Sequence, residues 1–151
     1  MKLSRKNITM MILSKFIANN MEKIENVSTK ANNITLITTE GTKKIKIRTS
    51  TNYNEEGDEN TYLWCSVSEE EISNPDFDYM VFVCNEDIEK AIIFTKEELK
   101  RHFYLEQKKK KNGNIDYEIY PQFYGRVSYD ARVRADQERI DITKYVNNYI
   151  L

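Results

Sequence analysis

The sequence predicts an α/β protein of the α+β kind, with a central mixed β-sheet flanked by helices. Three observations predict it. Apolar residues recur at helical spacing near the start, β-branched residues alternate through two segments after it, and a continuously apolar run, Tyr79–Cys84, leads towards a capped helix. At 151 residues the chain fits one domain over 1–151, with a core over about 5–106 and a C-terminal extension over 107–151.

Ile8, Met11, Ile12, Phe16 and Ile17 share one helical face, widened by Met10 and Leu13. This predicts an amphipathic helix over 8–21, capped near Ser4 or Asn7 and packed on a sheet. The period then changes. Residues 33–38 and 44–49 are β-branched and alternating, with Glu40-Gly41 between them, the signature of an antiparallel hairpin. Residues 52–60 are acidic and turn-forming with no apolar face, and read as a loop at the tip of the sheet. A strand resumes over 62–67. A second loop over 68–78, containing Asn74-Pro75, delivers the chain to Tyr79–Cys84, whose unbroken apolar character suits a central strand buried on both faces. A further strand over 89–94 precedes Thr95-Lys96-Glu97-Glu98, a capping box opening a helix through about Glu106. Beyond it, a lysine run followed by Asn112-Gly113-Asn114 predicts a turn and a strand is expected near Tyr117. Residues 141–150 read as a terminal helix that turns Ile142, Tyr145, Val146 and Tyr149 inward.

Lys and Arg total 23 against 24 Asp and Glu, a formal net charge of -1. That balance excludes the strongly basic profile of a histone-like nucleic-acid binder, so electrostatic recognition has to be local. Four Gly, two Pro and 40% hydrophobic content exclude collagenous, low-complexity and wholly disordered chains. Cys65 and Cys84 make neither a disulfide framework nor a zinc spacing, and read as small core residues of a reduced, cytoplasmic protein. No apolar run approaches the roughly 20 residues that cross a bilayer, and the basic start lacks a cleavage signal, so neither a membrane span nor a secretory signal is expected. The glycines form no GxGxxG or Walker loop, and His102, the one histidine, has no Cys, Ser or acid at triad spacing. Nucleotide-dependent, zinc and nucleophilic catalysis therefore find no motif.

Taken in order, Lys46-Ile47-Arg48-Thr49-Ser50, preceded by Asn32-Asn33-Ile34 and Glu40-Gly41, resembles the strand reading Gln/Glu-Val-Lys-Thr-Ser in small bacterial members of the PD-(D/E)XK superfamily, the restriction-endonuclease-like nucleases. Trp64 is similar to that group's tryptophan on the next strand, and Tyr79 to Val83 to its Tyr-Val-Phe-Val strand. Thr95-Lys96-Glu97-Glu98 matches its helix start, and Lys144-Tyr145-Val146-Asn147-Asn148-Tyr149 resembles its Lys-Tyr-x-Asn-Asn-Trp ending. The resemblance covers about residues 5–106 and the terminus, and implies a restriction-endonuclease-like sheet.

In that family an acid on one strand and a second acid on its partner hold Mg²⁺ beside the scissile phosphate, and a Lys two residues after the second acid orients the attacking water. Positions i and i+2 of a strand share a face, which brings the second acid and the Lys together. This sequence departs at each catalytic position: Asn33 stands for the Asp, Lys46 for the Glu or Gln, and Arg48 for the Lys. Two cations on one face oppose a divalent ion by several kcal/mol at ~4–6 Å even with an effective dielectric near ~20, and one Asn carbonyl brings no compensating charge. No metal is expected there. Arg48 is also a poor proton acceptor. Acids displaced from elsewhere, Glu22, Glu25 or Glu40, are the remaining route to an Mg²⁺ site; otherwise they are solvated surface residues.

Lys43, Lys44, Lys46 and Arg48 place four basic residues in six positions, either an exposed charged sheet face or a site for phosphate or an acidic partner. Lys100, Arg101, Lys108, Lys109, Lys110 and Lys111 form a second basic stretch, which Arg132, Arg134 and Arg139 extend; its alternative is a solvated turn. Between Tyr53 and Asp78 there is no Lys or Arg, while Glu55, Glu56, Asp58, Glu59, Glu69, Glu70, Glu71, Asp76 and Asp78 are acidic. They read as solubilising loops or as a surface that docks on a basic protein. Tyr104, Tyr117, Tyr120, Tyr124 and Tyr129 lie among basic residues and read as core edge or protein interface, with base stacking as the alternative.

The functional expectation is a pseudo-nuclease: a restriction-endonuclease-like binding protein without catalysis or cofactor, engaging nucleic acid or a nucleic-acid-processing protein, in a setting of phage defence or counter-defence. The alternatives are an active Mg²⁺-dependent DNA endonuclease with displaced ligands and a structural subunit of a larger complex, with a dimer compatible with either.

Overall fold

A computed structural model describes residues 1–105, 116–131 and 139–151. Helix α1 (Arg5–Asn19) is followed by β1 (Ile24–Lys30), β2 (Asn33–Thr38) and β3 (Gly41–Ser50), then by short strands β4 (Thr61–Tyr62) and β5 (Cys65–Ser68) and helix α2 (Glu69–Ser73). Next come β6 (Tyr79–Cys84), β7 (Ala91–Thr95) and α3 (Lys96–Leu105), and after them β8 (Asp116–Ile119), β9 (Pro121–Tyr124), β10 (Val127–Asp130), β11 (Ile140–Asp141) and a 3-10 turn at Thr143–Tyr145.

The main sheet has the order β1-β2-β3-β6-β7. β1, β2 and β3 form an antiparallel meander, β6 returns parallel to β3, and β7 is antiparallel to β6. A parallel return needs a long crossover, and here it carries β4, β5 and α2 over one face of the sheet. Pleating then sorts the side chains. Val81 and Val83 join Ile34, Leu36, Ile45 and Ile47 beneath Ile8, Ile12 and Phe16 of α1. Met80, Phe82 and Cys84 point the other way, with Phe94, against Ile72 of α2 and Leu99 and Phe103 of α3. The mixed, helix-flanked sheet expected from the sequence is present.

The caps follow the sequence. Ser4 Oγ accepts from the Asn7 N–H at 3.2 Å. At α3 the Thr95 hydroxyl accepts from the Glu98 N–H at 3.1 Å while Glu98 returns a bond to the Thr95 N–H at 2.9 Å. The expected hairpin and the strand near Tyr117 also form.

Several expectations are corrected. β1 was not foreseen, because only Ile24 and Val27 turn inward on this polar edge strand; pairing with β2, across a turn in which Ala31 takes φ 54, makes it a strand. Residues 62–67 are not one strand. The chain breaks at Leu63 and Trp64, sending β4 to β9 and β5 to β8. The loop expected over 68–78 holds α2, started by a capping box of Ser68 and Glu71. Tyr79–Cys84 is buried on both faces, yet the middle strand is β3. The terminal helix shrinks to one 3-10 turn, since Val146 bridges to Ile92 and the Asn147 N–H bonds Ala91 O at 3.0 Å, lining the outer edge of β7. Ile142, Tyr145 and Tyr149 are nevertheless buried, and Tyr117, Ile119 and Phe123 join the core, so these described residues of the expected extension are part of it. Among the described residues no helix is long and apolar enough to cross a membrane.

Candidate functional site

Lys46 and Arg48 alternate with Ile45 and Ile47 along β3, so burying the two isoleucines under α1 turns both cations to the crossover face. Asn33 is the direct cross-strand partner of Lys46, and antiparallel partners share a face. The three motif positions are therefore neighbours. Lys43 pairs with Leu36 and belongs to the opposite face. Lys44 is exposed, with its backbone N–H held by Asp78 Oδ2 at 2.8 Å. The four basic residues do not form one surface.

What covers Lys46 and Arg48 comes from the crossover. The Ser68 hydroxyl accepts from the Glu71 N–H and Glu71 Oε1 accepts from the Ser68 N–H, each at 3.1 Å, which fixes the carboxylate. Its Oε2 accepts from Lys46 Nζ at 3.3 Å and from Arg48 Nη2. Asp76 Oδ1 takes Lys46 Nζ at 3.2 Å, and the same ammonium lies 5.7 Å from the centroid of the Phe77 ring. Only 12% of the Glu71 side chain is exposed. Burial pushes its carboxyl up, but the Ser68 N–H and the Arg48 and Lys46 charges outweigh that and hold it below the usual carboxylate range. Two cations and two carboxylates thus compensate one another. Arg48 Nε is buried without an acceptor among the described residues.

The other predicted residues are dispersed. Glu22, Glu25 and Glu40 are exposed. Glu25 and Glu40 lie near Thr38, five residues along β2 from Asn33, about 16 Å at ~3.3 Å per residue, and Glu40 faces Lys23 at 3.8 Å. Among the described residues no three His, Cys, Asp or Glu side chains gather as a metal would need. Lys100 and Arg101 are exposed on α3. Lys108, Lys109, Lys110, Lys111, Arg132 and Arg134 lie outside the described residues. Glu55, Glu56, Asp58 and Glu59 are exposed on the loop before β4, and Glu70 is exposed on α2. Glu69 is half-buried, and Glu71, grouped with them in the sequence, faces inward instead, because its capping role aims it at β3.

Past Arg48 the same face of β3 reaches Ser50, whose hydroxyl accepts from the Trp64 N–H at 2.9 Å. Trp64 stands between two tyrosines, with ring centroids 5.8 Å from Tyr53 and 5.7 Å from Tyr120. Its indole Nε1 donates to Glu118 Oε1 at 3.2 Å, and the Tyr120 hydroxyl bonds the other oxygen of Glu118. The rings line a cavity of about 290 Å³, completed by Tyr62 and Gln122. Beside it Tyr124 contacts Tyr62 and Tyr129, and Arg139 lies over the Tyr124 ring at 5.4 Å. Tyr117 is a core residue.

Sequence reasoning missed the partners of Glu71 and the acid beside His102. Asp130 Oδ2 lies 2.7 Å from His102 Nε2, while its Oδ1 accepts from the Tyr120 N–H at 3.0 Å; His102 and Asp130 are both buried. Ser68-x-x-Glu71 was a visible capping signal for α2, but the pairing of a helix acid with strand cations has no local pattern. Comparison with known protein families, with curated proteins and with solved structures finds no match.

Proposed function

We propose that this chain is a non-catalytic binding protein of restriction-endonuclease-like type, serving defence or counter-defence by engaging a nucleic-acid-processing protein. The observation that carries the reading is the engagement of both Lys46 and Arg48 by one carboxylate, Glu71. Cations so neutralised are poorly disposed to take phosphates. The register is in keeping with the resemblance to the nuclease family: Asn33 pairs with Lys46 across β2 and β3, and Arg48 follows two positions on along β3. The donor set does not fit Mg²⁺. Lys46 and Arg48 bring positive charge to that face, and Glu71 already accepts bonds at both oxygens. Outward-facing acids at Glu55, Glu56, Asp58, Glu59 and Glu70 favour a basic protein surface as the partner.

A second reading, a metal-dependent nuclease with relocated ligands, draws on the arrival of Glu71 and Asp76 at the motif face. One experiment separates the two. Supercoiled DNA is incubated with the wild-type protein and with Glu71→Gln, in Mg²⁺ and in Mn²⁺, and binding is followed by mobility shift. The non-catalytic reading expects no cleavage and, in Glu71→Gln, a new salt-sensitive shift that Arg48→Ala abolishes. Cleavage by the wild type that disappears in Glu71→Gln establishes the nuclease.

A further inference from the structure

The main sheet is covered along one outer edge and open along the other. The β7 edge is taken by Val146, which bridges to Ile92, and by Asn147, whose N–H bonds Ala91 O. Among the described residues no strand lies beyond β1. Lys30 and Asn33 pair across the two-residue turn that joins β1 to β2, so they exchange ladder bonds, and Ser28, two residues back, does the same with Thr35. The N–H and C=O of Val27 and Thr29 therefore point outward. The Val27 N–H is met there by the side chain of its own neighbour, Asn26 Oδ1, at 2.9 Å.

The ends of this edge carry opposite charge. Lys30 stands at one end, and the groove beside it, a cavity of about 410 Å³ between α1 and the turn, is lined by Arg5, Lys6, Thr29 and Ala31. Glu22 and Glu25 stand at the other end, where a cavity of about 310 Å³ is lined by Met21, Glu25 and Val27. Arg5, Lys6, Glu22, Glu25 and Lys30 are exposed, and none of them forms an ion pair among the described residues. Lys23, which shares the acidic end, is engaged by Glu40 at 3.8 Å. An edge that is acidic at Glu25 and basic at Lys30, ~16 Å away at ~3.3 Å per residue, is complementary to itself run backwards.

We propose that β1 pairs antiparallel with β1 of a second copy of this chain, about a two-fold axis perpendicular to the sheet. The outward groups set the register: Val27 of each copy lies across from Thr29 of the other, and Ser28 across from Ser28. Each outward N–H and C=O of Val27 and Thr29 then finds a ladder partner, and Asn26 yields the Val27 N–H. The bulge between Ile24 and Asn26 ends the regular edge and confines the pairing to residues 26–30. A lysine on an edge usually opposes such pairing, but here Lys30 comes to lie across from Asn26 and beside Glu25 of the second copy. Because the β7 edge is covered, association closes at the dimer and does not propagate. The axis also keeps both α1 helices on one face and both crossovers, over Lys46 and Arg48, on the other.

Sedimentation velocity of the full chain, from low micromolar to millimolar concentration, should show a reversible monomer–dimer equilibrium with no larger species. Amide exchange at Val27 and Thr29 should slow as the dimer fills. Glu25→Lys and Lys30→Glu each set like charges beside one another, and each alone should weaken association about tenfold, with an unchanged urea midpoint at low concentration. Mixing the two variants restores opposite charges at both contacts, so dimers should return in the mixture. A wild type that stays monomeric at millimolar concentration overturns the proposal, and so does a mixture that fails to pair. A dimer that both variants form as well as the wild type, or that leaves exchange at Val27 and Thr29 unchanged, places the contact elsewhere and overturns it too. None of these outcomes depends on what the crossover face binds.

Discussion

Arg48 and Glu71 are joined side chain to side chain although one stands on a strand and the other on a crossover helix 23 residues later. The same carboxylate oxygen takes Lys46 Nζ at 3.3 Å, so one buried anion fixes α2 over two successive outward positions of β3.

Stability should depend on the ionisation of Glu71. Its carboxyl is held below the usual range, so the folded-state pKa lies under the unfolded one, near 4.5. The contribution is fully present above the unfolded value and is lost as pH falls through the folded one. Urea midpoints should therefore drop on acidification below about pH 4.5, and part of that drop should vanish in Glu71→Gln. At neutral pH the substitution should cost about 2 kcal/mol, between the ~0–1 of an exposed pair and the ~3–5 of a fully buried one, since Arg48 still reaches water. A Glu71→Gln variant as stable as its parent would show the ion cluster to be idle.

His102→Ala should destabilise far more than a surface change. It removes the partner of Asp130 Oδ2 on a carboxylate that is 0% exposed, and losses of about 3–5 kcal/mol accompany the breaking of buried pairs. Asp130→Asn should cost less, because an amide oxygen still accepts from the Tyr120 N–H. Urea unfolding of the two variants tests the order; equal losses would mean that the charge plays no part.

The thiols should be silent in the native state. Burial pushes the Cys65 thiol up to about 12, with Arg48 opposing only in part, and Cys84 is raised by burial as well. A colourimetric thiol reagent at pH 8 should titrate both cysteines after denaturation and neither before it. Fast labelling of native protein would reveal an opening of the layer between β5 and β6.

Much of this architecture was legible because its signals are local. Ser4, Thr95 and the alternation of Ile45 and Ile47 each state their role within four residues, and the structure follows them. Signals failed where long-range pairing decided the outcome. β1 is a strand only because β2 accepts it, and residues 146–147 leave the helical path because β7 offers them backbone partners. The site divides in the same way. That Lys46 and Arg48 share a face was readable from strand period, but their capture by Glu71 depends on where the crossover lays α2. His102 seemed isolated because Asp130 approaches it only through the packing of α3 against the β9–β10 hairpin.

The side-chain amide of Asn20 donates to Tyr149 O at 2.7 Å across 129 residues, its oxygen takes the Leu151 N–H at 3.0 Å, and Tyr149 sets its ring edge-on to Phe16. Helix α1 is thus sealed by residues 149–151, which are synthesised long after it. Until that segment is released, the apolar stripe of α1 lacks its final cover. A nascent chain stalled before Tyr149 would offer that stripe to chaperones, and a deletion of residues 149–151 would be felt at α1, about 130 residues away in sequence.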